Sequence, residues 1–203
     1  MRNEVVLFTL QRIMALAVAG AVIGVLHQDD LTVAFLLAAY SIVVYLRKKK
    51  MPGAKLYFLG YILSALGGVM AEHWGISNGH WTYHDLSDGR TFPYWLPFAW
   101  GLAFTFLYSF ERAYILAFRI RSFGVKFCLT LLVSALFPTI GEIVTVKLGV
   151  WTYHWPYQVL GIPLYAIGLL MAFHSGMYLL LCWTGKRWRV SDPVFGRTPV
   201  ETL

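Results

Sequence analysis

Six stretches of the 203-residue chain are apolar almost throughout, near residues 5–26, 31–46, 56–76, 94–116, 125–147 and 159–183, and short polar segments separate them. Each is about as long as the roughly 20 residues that cross a hydrocarbon core. The pattern predicts an all-α integral membrane protein of six transmembrane helices. The second stretch is the shortest, but the following Arg47-Lys48-Lys49-Lys50 can snorkel and extend its reach. Residues 13–26 alone resemble the apolar region of a signal peptide. The early Arg12, and the lack of a soluble-looking segment after them, argue for a retained first helix.

Composition agrees. A chain that is 58% hydrophobic, 17% aromatic and 13% charged exposes more apolar surface than one soluble core of this size can hide. Charge then orients it. Lys and Arg concentrate in the 47–55 loop, the 119–126 loop and the tail from Lys186, whereas the alternate loops carry only Arg90 and Lys147. The positive-inside rule places both termini in the cytoplasm of an inner membrane or its equivalent. The net charge of +7 is thereby accounted for by topology and contact with anionic lipids, and a nucleic-acid partner is excluded for want of a soluble basic surface. Cys128 and Cys182 fall within predicted spans and imply neither a disulfide framework nor a zinc ribbon.

Trp81-Thr82-Tyr83-His84 recurs as Trp151-Thr152-Tyr153-His154, and a shift of 70 positions aligns more than this tetrapeptide. Ser64-Ala65-Leu66 falls on Ser134-Ala135-Leu136, Glu72 on Glu142, Gly79 on Gly149 and Pro93 on Pro163. A shared Glu, Trp, Tyr, His and Pro at fixed spacing points to an internal duplication. The expected organisation is a helix pair over 1–50, one repeat over 54–123, a second over 124–193, and a cytoplasmic tail over 186–203. Each repeat holds two helices, 3–4 and 5–6, so the copies run parallel about an axis along the membrane normal.

Glu72 and Glu142 lie 16 to 17 residues from the cytoplasmic ends of their helices, roughly 25 Å up at 1.5 Å per residue. A carboxyl at that depth must be paired, protonated or turned toward a polar cavity, which marks a functional site; the alternative is an interfacial Glu reaching water. Gly68 and Pro138, four residues before each acid, weaken the helix there and predict a bend. Beyond each acid the chain leaves the helix near Gly79 or Gly149 and re-enters at Pro93 or Pro163, a residue suited to a first helical turn. If W-T-Y-H is extended, Trp and Tyr point one way and Thr and His the other. Trp and Tyr fit an aromatic belt at headgroup level or the lining of a site. His84 and His154, 12 residues after their acids, are expected to fold back over them.

Other polar residues add less. His73 and His80 have no counterpart in the second copy, where Ile143 and Val150 stand, and His174 matches Phe104. Glu and His are acceptable metal ligands, but no metal-binding spacing lies on one helix, so no metal is assigned. Arg12, Glu111 and Arg112 read as snorkelling or paired near the cytoplasmic ends of their helices, and Gly20-x3-Gly24 as helix packing.

The segments "AEHWGISNGHWTYHD", "FPYWLPFAWG" and "GEIVTVKLGVWTYHWPYQVLGIPL" resemble the two halves of the membrane-embedded carotenoid hydratases and the related membrane-type lycopene cyclases, over about residues 56–183. The cyclases carry a Glu-Glu pair after the re-entry Pro, where this chain has Pro93-Tyr-Trp-Leu and Pro163-Leu-Tyr-Ala, and the chain is short for such a hydratase. The resemblance implies proton-initiated hydration or cyclisation of a terpenoid or other isoprenoid lipid, with Glu72 and Glu142 as the functional acids. Such chemistry requires a neutral carboxylic acid in an apolar pocket. Aromatic faces steady the resulting carbocation, and Trp74, Trp81, Tyr83, Tyr94, Trp95, Trp100, Trp151, Tyr153 and Trp155 are the candidates. His84 and His154 join the acids as candidate catalytic groups, and no cofactor is called for. Two further function classes stay open: a non-enzymatic binder or carrier of lipids or small ligands, and a membrane metalloenzyme.

Overall fold

The computed structural model describes residues 2–86 and 89–196. Its six helices are α1 (Arg2–Leu26), α2 (Asp30–Lys48), α3 (Ala54–Ser77), α4 (Leu96–Ala117), α5 (Phe123–Lys147) and α6 (Leu164–Trp188). Four two- or three-residue strands complete it: β1 (Trp81–Tyr83), β2 (Trp151–Tyr153), β3 (Gln158–Val159) and β4 (Ile162–Pro163). Five of the helices, all but α4, are long and apolar enough to cross a membrane. Helix α4 has 22 residues and carries the charged Glu111 and Arg112 near its C-terminal end.

Helices α3, α4, α5 and α6 pack in a ring in which α6 closes back on α3; α1 lies against α5 and α2 against α4. Much of the outer surface is apolar: Phe35 and Met70 are each 73% exposed, and Val6, Leu10, Met14 and Val18 line an open face of α1. The interior is aromatic, with Tyr57, Phe104, Tyr108 and Tyr178 buried together. Two ends are distinct. One, called here the ribbon end, carries the α1–α2 turn and the strands. The other, the basic end, carries Arg47, Lys48, Lys49 and Lys50, with Lys126 and Lys186.

Several sequence expectations change. Helix α4 begins at Leu96 rather than Pro93, with Pro97 in its first turn, and the Tyr94 N–H just before it donates to Asp30 Oδ2 at 3.0 Å. Residues 158–163 form the hairpin β3–β4, so α6 starts at Leu164 with Pro163 as its cap. Gly68 and Pro138 both lie inside a helix, in α3 and α5 respectively.

The expected tail over 186–203 is in part a packed element. Lys186 belongs to α6, and residues 197–203 lie outside the described residues, but 190–196 tuck into the basic end of the bundle. Asp192, Val194 and Phe195 are buried there. Asp192 Oδ2 accepts from the Tyr108 hydroxyl (2.7 Å), its Oδ1 from the Val194 and Phe195 N–H groups (2.9 and 3.0 Å), and Lys126 Nζ donates to Pro193 O (2.6 Å). Burial pushes the Asp192 carboxyl up, more than the Phe195 N–H and the Tyr108 hydroxyl pull it down. A carboxyl raised in the folded state stabilises most below its unfolded pKa and loses that contribution as pH rises through its folded pKa. The loss therefore begins above the ordinary Asp value of 3.8. Amide protection factors of residues 190–196 are expected to be larger at about pH 4 than at about pH 8, and Asp192→Asn is expected to flatten the difference, as hydrogen exchange would read.

Candidate functional site

Helices α3 and α5 end in the same way. The Gly79 N–H bonds Ile76 O and the His80 N–H bonds Gly75 O; the Gly149 N–H bonds Val146 O and the Val150 N–H bonds Thr145 O. This paired closure needs a left-handed residue, and Gly79 (φ 68°) and Gly149 (φ 79°) supply it without a Cβ penalty. Each turn sends the chain back across the helix end as a short strand. Strands β1 and β2 then pair antiparallel, with Trp81 opposite Tyr153, Thr82 opposite Thr152 and Tyr83 opposite Trp151. The 70-residue shift exchanges the two halves of this ribbon.

Alternation along the strands turns Trp and Tyr inward. The Trp81 Nε1–H and the Tyr83 hydroxyl both donate to Glu72 Oε2, at 2.8 and 3.2 Å, and the Trp100 Nε1–H donates to Oε1 at 3.2 Å. Across the ribbon the Tyr153 hydroxyl donates to Glu142 Oε2 at 2.9 Å. Glu72 is buried and Glu142 half-buried. Burial and the neighbouring carboxyls push both phenols well above their ordinary pKa, so Tyr83 and Tyr153 remain donors at any physiological pH. The two acids are linked through the ribbon, since Trp81, a donor to Glu72, packs on Tyr153, the donor to Glu142, at 5.8 Å between ring centroids.

Two glycines of α3 make the Glu72 contacts possible. A Cβ at Gly68 would run into the Trp100 ring, and one at Gly75 would run into the Trp81 ring. Both indoles therefore lie directly on the helix, one on each side of Glu72. In the second copy the matching positions are Pro138 and Thr145, and Leu170 stands where Trp100 would be, which leaves Glu142 with fewer donors.

His84 and His154 do not fold over the acids. They lie on the opposite face, where His154 Nε2 shares a hydrogen bond with Thr82 Oγ1 (2.9 Å) and His84 Nε2 with Thr152 Oγ1 (2.8 Å). The reason is steric and periodic: only one face of a strand can meet the helix end, and the indoles and phenols occupy it.

The predicted aromatic residues divide into three groups. Trp81, Tyr83, Trp100, Trp151 and Tyr153 gather at the acids, with Trp151 against Tyr83 at 5.5 Å and Trp81 against Tyr153 at 5.8 Å between ring centroids. Trp74, His80 and Trp155 form an outer triangle of rings, with His80 at 4.9 Å from Trp74 and 4.4 Å from Trp155 and the two indoles 6.4 Å apart. Trp95 is buried beneath Tyr83 as core, while Tyr94 lies under the Arg90 guanidinium, away from the acids.

The clamps that hold the loop above the site have no sequence motif. Arg90 forks onto Asp30 (2.6 and 3.1 Å), and His27 Nε2 meets Asp85 Oδ2 at 3.0 Å, tying Asp85 and Arg90 to the junction of α1 and α2. No group of three or more His, Cys, Asp or Glu side chains placed to hold a metal ion occurs among the described residues. No family model, curated protein or solved structure matches the chain. The chemistry of the site must therefore be read from its own groups: two carboxyls at one level, donors on both, and aromatic faces around them.

Proposed function

We propose that the protein is an integral membrane enzyme acting on an isoprenoid lipid, with Glu142 as proton donor, Glu72 as proton acceptor, and hydration or cyclisation of an alkene as the reaction. The observation that carries this reading is the pair of carboxyls under the ribbon, each bonded by the Tyr of its own W-T-Y-H segment. Their unequal surroundings suggest the division of labour. Glu72, held by three donors, is set to receive a proton; Glu142, held by one, is set to give one.

In the first step the Glu142 proton bonds to one alkene carbon using the π electrons, and the other carbon becomes a cation. The faces of Trp81, Trp100 and Trp151 are suited to stabilise it. Water then adds to the cation and loses a proton to Glu72, or a second alkene closes a ring and a ring carbon loses that proton. Hydration adds one water overall, and cyclisation changes no mass.

In this reading all six helices cross the bilayer, α4 shielded by its neighbours, with both termini cytoplasmic and the ribbon on the other side. Residues 54–123 and 124–193 are two parallel copies, which the exchange of ribbon contacts under the 70-residue shift supports. The resemblance to carotenoid hydratases and membrane-type lycopene cyclases points to the same chemistry. Incubating purified protein with a lipid extract, then comparing masses and retention times, tests it. A new species heavier by water, or one of equal mass and shifted retention, is expected; an unchanged profile would favour a lipid carrier.

A further inference from the structure

A second set of ionisable groups lies nearer the basic end, apart from the carboxyls under the ribbon. Glu111 of α4 is fully buried, and its Oε1 shares a hydrogen bond with His174 Nε2 of α6 at 2.9 Å. Helices α4 and α6 are diagonal in the ring, so this bond crosses the middle of the bundle. The other carboxyl oxygen, Glu111 Oε2, is buried with no hydrogen-bond partner among the described residues. The same holds for the hydroxyls of Ser175 and Tyr178 and for Arg112 Nε. Buried polar atoms are rarely left so, and ordered water is their usual partner.

Packing alone does not require this polar pair. Under the 70-residue shift His174 corresponds to Phe104 and Glu111 to Leu181, so the same chain fills the equivalent places with apolar side chains. Phe104 packs on the His174 ring at 6.3 Å and, with Phe173 against Trp100 at 5.0 Å, forms an apolar layer toward the ribbon-end acids. On the other side ionisable groups are interleaved with the apolar core: Arg112 and Tyr108 from α4, Lys126 from α5, Tyr178 and Cys182 from α6, Tyr57 from α3 and Asp192 from the closing segment stand among Leu56, Ile115, Leu181 and Phe195, with Phe195 against Tyr108 at 5.4 Å and Tyr178 at 5.9 Å between ring centroids.

We infer that Glu111, His174 and Tyr178 hold water on the bundle axis and form a proton-binding centre, separate from Glu72 and Glu142 and supplied from the basic end. One proton from bulk water is taken up by the pair and returned, with no other bond changed. The centre does not depend on the enzymatic reading, since a carrier would use it equally.

Infrared difference spectra of the full-length protein in lipid vesicles, between about pH 5 and about pH 8 where histidine ordinarily titrates, test it. The expected result is a carboxyl band that changes with pH and shifts in heavy water, vanishes in Glu111→Gln, moves in His174→Gln, and persists in the Glu72→Gln/Glu142→Gln double variant. A band set indifferent to pH and heavy water, or unaltered by Glu111→Gln, would overturn it. Should Glu111→Gln not fold, nitrogen-15 histidine spectra of the unsubstituted protein decide: a His174 signal, assigned by its loss in His174→Gln, must move with pH, and a fixed one refutes the centre.

Discussion

Under the proposed reaction, Glu142→Gln is expected to lower turnover of an isoprenoid substrate by roughly 10²- to 10⁴-fold, the usual effect of removing a positioned acid or base. Gln keeps the volume of Glu and its carbonyl oxygen can still accept from the Tyr153 hydroxyl, so the fold should survive the change. What it lacks is the proton. Glu72→Gln is expected to lose activity similarly and to lose stability as well. The three donors of Trp81, Tyr83 and Trp100 reach both carboxyl oxygens, so an amide must turn its NH2 group toward one or more of them. Leaving such a buried donor unpaired costs about 1–3 kcal/mol. Product formation by mass spectrometry, with unfolding followed in detergent, separates the two variants. Full turnover by folded Glu142→Gln would remove it from the mechanism.

Gly68→Ala is the second large effect, and its sign is the informative part. In an unencumbered helix Gly→Ala gains up to about 1 kcal/mol, and Gly168→Ala in α6, where a new Cβ meets nothing within 4 Å, should show such a gain. At Gly68 the Cβ would overlap the Trp100 ring, so the indole must move off the helix and release Glu72. Overpacking of this kind costs about 1–3 kcal/mol. Gly68→Ala should therefore unfold more easily, with altered tryptophan fluorescence and reduced activity. Stabilisation at Gly68 equal to that at Gly168 would show that Trp100 does not depend on the bare helix surface.

The helices were legible because length and continuous apolarity are local properties, as in α1, α3 and α5. The level of Glu72 and Glu142, and the segregation of Trp and Tyr from Thr and His, were legible too, since both follow from fixed rise and period. The pairing of β1 with β2 was not, because it joins segments 70 residues apart through turns whose geometry Gly79 and Gly149 determine. That pairing decides which strand face meets the acids. It explains why the imidazoles, expected over the acids, lie outside while the phenols bond the carboxyls in their stead. Gly68 looked like a helix-weakening residue, and its real neighbour, Trp100, comes from another helix. The packing of Asp192, within the span read only as a cytoplasmic tail, was hidden for the same reason. Tyr108 reaches Asp192, and Lys126 reaches Pro193, only once the bundle is assembled.

In the proposed reaction a proton passes from solvent, through a carboxyl, to a carbon of an isoprenoid lipid. Incubation of the purified protein with lipid extract in heavy water reads this directly. The account predicts one non-exchangeable deuterium in the product for each alkene consumed, abolished in Glu142→Gln; a product free of carbon-bound deuterium, or no product at all, would contradict it.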